Sequence, residues 1–146
     1  MANVFDVAAY ILQQQGRMTT MKLQKLCYYA QAWHLVWAEK SLFSERIEAW
    51  ANGPVAPELY RLHKGRFDID ASELAKGDPQ NLTEGERKDI DEVLRFYAPM
   101  GAYHLSELTH HEAPWKDARG DLPVGARCTK TITLAAMAEY YGSLTD

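Results

Sequence analysis

One stretch, residues 20–60, constrains the fold more than any other: TMKLQKLCYYAQAWHLVWAEKSLFSERIEAWANGPVAPELY. Its first half predicts one helix entered at Thr20, because a Thr hydroxyl accepts from the free N–H groups of a first turn. Leu23, Leu26, Ala30, Trp33 and Trp37 recur at steps of three and four, which puts them on one helical face. Cys27 and His34 border that face on one side, Tyr29 and Val36 on the other. The apolar arc therefore covers roughly half the circumference, wider than the ~100° stripe of an ordinary surface helix. Gln24, Tyr28, Gln31 and Leu35 form the remaining strip, expected to face outward. A helix this apolar is expected at the centre, with other elements packed around it.

The second half changes character. Residues 47–51 (IEAWA) alternate as a short strand does, and Asn52, Gly53 and Pro54 break the run with three turn formers. Alternation sets Trp50 and Glu48 on the outer face, opposite Ile47 and Ala49. Pro57 suits the first position of a following helix, where no N–H is needed, and Glu58 favours its positive end.

Elsewhere the punctuation is clear. Asn3 caps a first helix with Asp6 at its third position, Val4, Val7, Ala8, Ile11 and Leu12 form its apolar face, and Gly16 ends it. Residues 66–80 read as a polar loop with a helical turn. Thr83 and Glu86 make a capping box for a helix that buries Ile90, Val93, Leu94, Tyr97 and Ala98 and stops at Pro99. A helix over 101–111 turns inward at Leu105 and Leu108, and one more helical turn covers 115–119. Residues 127–132 are rich in β-branched side chains and are expected to pair with the 47–51 strand. Thr133 caps a last helix whose Leu134, Met137, Ala138 and Tyr141 face the core. The expected fold is mainly α: a single compact helical domain over 1–146, built around a central apolar helix, with a small β-hairpin or short sheet.

Three blocks, KLQKLCYYAQAWHL, IEAWANGPVAPELY and LSELTHHEAPWKDAR, together resemble the Panacea domain, also called the SocA-like or phage-associated GepA-like domain. That family occurs in antitoxins of bacterial and phage toxin–antitoxin pairs. The resemblance implies a protein that neutralises a cognate toxin, encoded by a neighbouring gene, through direct binding. It also implies, as an alternative, an adaptor that delivers the toxin to a AAA+ protease. It assigns structural roles to Leu23, Leu26 and Trp33 in the first block, to Gly53, Pro54, Val55 and Pro57 in the second, and to Thr109, His110, Pro114, Trp115 and Arg119 in the third.

Other functions find less support. With a net charge of −4 the chain has no broad basic field, so nucleic-acid binding is disfavoured, and the central helix is too apolar to enter a groove. No apolar run approaches the ~20 residues of a membrane span, and no signal peptide opens the chain. Cys27 and Cys128 stand alone and are expected to be reduced, which places the protein in the cytoplasm. His104, His110, His111 and Glu112 cluster, yet neither HExxH nor CxxC spacing occurs, so no metal and no cofactor are expected. Thr109 and His110 with Asp117 or Glu112 are the one nucleophile–base set to weigh for a small hydrolase, and no GxSxG elbow supports it. Eight Tyr and four Trp favour a binding surface instead, since these residues dominate the energetic centres of interfaces. The expected partner-binding residues are Gln24, Tyr28 and Gln31 on the outward strip, with Trp50 and Tyr60 beside them.

Overall fold

The computed structural model describes residues 2–145. In chain order the elements are α1 (Val4–Gln15), β1 (Met18–Thr19), α2 (Thr20–Ala38), β2 (Ile47–Trp50), β3 (Gly53–Val55), α3 (Pro57–His63), β4 (Asp68–Ile69), α4 (Glu84–Tyr97), α5 (Ala102–His110), α6 (Ala113–Arg119), β5 (Thr131–Ile132) and α7 (Leu134–Gly142). The fold is mainly α, and α2 is its axis: α1, α4, α5, α7 and β3 all pack on it.

The helix starts are those the caps dictate. Asn3 and Asp6 form a reciprocal capping box, as do Thr83 and Glu86, and the Thr133 hydroxyl accepts from the Ala136 N–H. Thr19 rather than Thr20 caps α2, accepting from the Lys22 N–H, while Pro57 opens α3.

Two small sheets tie the helices together. The first has the order β3-β2-β5, all antiparallel, with Ala49 opposite Pro54 and Ile47 opposite Ile132. The expected pairing of the 127–132 run with the 47–51 strand is thus realised at Thr131 and Ile132. Gly53 and Pro54 do not form the corner. They lie in the returning strand, and Ala51 and Asn52 make the turn. Pro54 is tolerated because β3 is an edge strand, where a missing N–H breaks no ladder. The second sheet pairs Met18 with Ile69 and so fastens the 66–80 segment, which Arg17 also grips through Asp68, Asp70 and Glu73. Two 3₁₀ turns, Ala71–Glu73 and Pro79–Asn81, complete that segment.

The apolar arc of α2 is rotated and extended relative to the sequence expectation. Leu23, Leu26 and Ala30 are buried, but Trp33 is only partly so and Trp37 is 45% exposed. Conversely, the strip expected to face outward is sealed: Gln24, Tyr28 and Gln31 are each 1% exposed. The reason is that backbone breaks are buried against this side. Gln31 accepts from the Leu42 N–H at 2.7 Å and donates to the Phe43 carbonyl at 2.7 Å. Gln24 accepts from the Ala56 N–H at 2.8 Å and donates to the Ala56 carbonyl and to His63. A primary amide both donates and accepts, so it satisfies loop groups that would otherwise be orphaned inside the protein. The Tyr28 ring lies under α7, its hydroxyl 3.0 Å from that of Tyr141. Leu134, expected inside, is 44% exposed, while Met137 and Tyr141 are fully buried.

Candidate functional site

The third sequence block acts as a clasp on the β2–β3 hairpin. The Trp115 indole donates to the Trp50 carbonyl at 2.8 Å, the Arg119 guanidinium donates to the Ala49 carbonyl at 2.9 Å, and Ser106 donates to the Asn52 carbonyl. Arg119 also takes the Pro123 and Ala126 carbonyls and lies 4.8 Å over the Trp115 ring. His110 stacks on the same Trp115 ring, with centroids 4.1 Å apart. Pro114, in the first turn of α6, is buried. Thr109 donates to the Ser106 carbonyl and faces Gly53 from below. His110 therefore supports the corner by its stack on Trp115.

Behind the hairpin sits Lys25, 1% exposed, with no hydrogen-bond partner for its Nζ. Burial pushes its ammonium down to about 7. His63 and His110 are held below the usual histidine range, in both cases mainly by burial. For His63 the tautomer follows from its neighbours. Gln24 accepts from Ala56, so its amide nitrogen faces His63, whose Nε2 must be the unprotonated acceptor.

Under α6, Glu112 turns inward instead of capping. Its Oε1 accepts from the Tyr29 and Tyr141 hydroxyls, both at 2.7 Å. Because Tyr141 spends its one proton there, Tyr28 is the donor in the Tyr28–Tyr141 pair. Tyr29 also stacks on Tyr97 at 3.9 Å, and Trp33 donates to the Tyr97 hydroxyl. Burial raises the Glu112 carboxyl above its ordinary range, with the two tyrosine donors opposing.

The nucleophile–base set weighed from the sequence is not assembled. The Thr109 hydroxyl is spent on a carbonyl, Glu112 on two tyrosines, and the carboxylate nearest His110 is that of Glu107 at 3.7 Å. Among the described residues no three His, Cys, Asp or Glu side chains converge as metal ligands, and both cysteines are buried thiols without a disulfide.

On the outer side of the hairpin is a cleft of about 580 Å³. Trp50 and Tyr60 meet there edge to face at 4.9 Å, both half-buried, flanked by Met21, Lys64 and Arg127. Of the five residues expected to bind a partner, the structure thus brings together Trp50 and Tyr60. Gln24, Tyr28 and Gln31 lie inside and offer no surface. Sequence reasoning missed Lys25, Lys64 and Arg127. Lys25 left no signal, as a lysine in a helix normally marks a solvated face. The cleft's cations come from segments that only the tertiary fold juxtaposes.

A small, mainly α fold whose α5–α6 segment clasps a β-hairpin, with an aromatic cleft on its surface, is what fold and site define. Residues 23–116 match the family described as antitoxin SocA-like, Panacea domain, and the chain belongs to that family. The match runs from α2 into α6 and ends before Arg127. No curated protein and no solved structure matches at a significant level.

Proposed function

We propose that the protein is an antitoxin that neutralises a cognate toxin, encoded beside it, by binding it directly in the cytoplasm. The observation that carries this reading is the antitoxin-family match over 23–116. The unassembled nucleophile set and the aromatic cleft support a binding role over an enzymatic one. Reduced thiols suit the buried, unpaired Cys27 and Cys128, and among the described residues no helix is long and apolar enough to cross a membrane.

A working antitoxin holds nearly all of its toxin at cellular concentrations, which requires nanomolar affinity, about −12 kcal/mol. Co-expression with the product of the neighbouring gene should therefore give rescue from toxicity and a complex that survives size-exclusion chromatography. Absence of both would overturn the reading.

The second reading, an adaptor that hands the toxin to a AAA+ protease, is favoured by one observation. A separate groove lined by Trp33, Trp37 and Phe96 lies between α2 and α4, leaving a face for a second partner. Toxin that disappears only in cells containing the protease would support it.

A further inference from the structure

We infer that the cleft beside Trp50 docks an acidic peptide segment of a protein partner. The inference rests on the antitoxin reading for who that partner is, and on the cleft itself for the chemistry.

The floor is pre-organised. The Trp50 indole N–H donates to Glu48 Oε1 at 2.8 Å, and Arg46 holds the other carboxylate oxygen at 2.8 Å. Tyr60 packs edge-on against the indole, and the Trp50 carbonyl is clasped by Trp115. The rim is cationic: Lys64 follows α3 and Arg127 precedes β5, both exposed. Among the described residues neither makes an ion pair, whereas Arg17, Arg46, Arg66 and Arg95 all do. Among the described residues no carboxylate lines the cleft, and the neighbouring Glu48 is buried with both oxygens engaged.

In a chain of net charge −4, two cations on the rim of a cleft lined by aromatic rings form a local reversal of sign. An acidic segment is repelled by the net charge of the chain and attracted here, which gives both docking energy and orientation. The rings supply the apolar area that anchors a bound side chain. A cleft of about 580 Å³ is of the size that encloses a few side chains, so a segment rather than a folded face is the occupant. Single-stranded nucleic acid also uses cations and rings, but it needs a basic groove that tracks several phosphates, and two cations do not make one. The Trp33–Trp37–Phe96 groove has Glu92 as its one charged lining residue and serves as the control surface.

The test uses the full isotope-labelled chain and three probes: a short peptide alternating Glu and Leu, the same peptide with Lys in place of Glu, and oligothymidylate. The acidic peptide should shift the Trp50 indole N–H resonance. Its affinity should fall with added salt and drop roughly tenfold or more in Lys64→Glu/Arg127→Glu, with Lys64→Gln/Arg127→Gln intermediate. Trp37→Ala, on the other groove, should leave the acidic peptide's affinity for the Trp50 cleft unchanged. An unmoved Trp50 resonance, an equal response to the lysine peptide, or preferential binding of oligothymidylate would overturn the proposal. The same charge-reversed variant is then co-expressed with the neighbouring gene product. If the wild-type chain forms the complex and the variant forms it equally well, the cleft proposal fails and the antitoxin reading stands. If the wild-type chain forms none and gives no rescue from toxicity, the antitoxin reading fails, and the peptide titration still decides the cleft.

Discussion

Lys25 lies directly against the α-carbon of Gly53: a β-carbon added to Gly53 would stand 2.4 Å from Lys25 Cε and 3.0 Å from the Thr109 hydroxyl. Gly53 also has φ +123°, a backbone state that L side chains rarely adopt. Two independent costs therefore meet at one position. Gly53→Ala should lower stability by about 2 kcal/mol or more, judged from strained backbone of this kind. In the Lys25→Ala background the Lys25 collision is removed while the dihedral cost and the close Thr109 hydroxyl remain, so the loss should shrink without vanishing. Urea midpoints of wild type and the three variants measure it, and a Gly53→Ala chain as stable as wild type would contradict the packing described.

The unpaired lysine also sets a pH dependence. Its folded pKa, about 7, lies below the ordinary 10.5, so the unfolded chain binds its proton more readily. Stability from this group is fully present above the unfolded value and is lost as pH falls from there to about 7. Wild type should gain about 2 kcal/mol between neutral pH and pH 9 from Lys25 alone. Lys25→Met should flatten that slope and be the more stable chain at neutral pH. Equal slopes in the two proteins would show that the amine has a partner.

His63 and His110 have the same sign. Both are held below their unfolded values, so their contribution is present above about 6.5 and lost as pH falls below it. The Gln24–His63 hydrogen bond needs an unprotonated Nε2 and should fail first. His63→Gln should reduce acid sensitivity, read as a smaller drop in melting temperature between neutral and mildly acidic buffer.

Glu112 holds two tyrosine hydroxyls on one oxygen. Glu112→Ala strands both inside the protein, at about 1–3 kcal/mol for each orphaned group. Glu112→Gln keeps an acceptor oxygen and should cost less. Denaturant unfolding with near-ultraviolet circular dichroism, which reports Tyr28, Tyr29, Tyr97 and Tyr141, separates the two.

Replacing Tyr28 and Gln31 with Asp, which an outward strip would have tolerated, should instead unfold the chain. Both side chains are 1% exposed, and Gln31 satisfies the Leu42 and Phe43 backbone. A well-folded double variant with normal melting would restore that strip as surface.

What was legible in the sequence is what local chemistry decides. The caps at Asn3, Thr83 and Thr133, the proline entering α3 and the stop at Gly16 depend on a few adjacent residues, and the structure has them in place. The apolar spacing of α2 located the central helix correctly. It failed on orientation because polar residues at Gln24, Lys25 and Gln31 are buried for reasons that periodicity cannot register. Two are held by loops more than ten residues away and one by nothing. Gly53 and Pro54 look like a turn by composition, yet the ladder with β2 extends through them. The cleft was half legible: alternation exposed Trp50, but Lys64 and Arg127 are 63 residues apart and meet only once the hairpin is clasped.

The position of α7 along the chain has a consequence for timing. Tyr141 accepts from Tyr28 and donates to Glu112, and Ile132 completes the sheet begun at Ile47. On the ribosome, α2 is therefore made long before α7 exists, and the Tyr28 hydroxyl stays without its partner until α7 has emerged. The fold is closed by its end rather than grown from its beginning, so a chain interrupted ahead of α7 is no shorter version of this protein but an unfinished one.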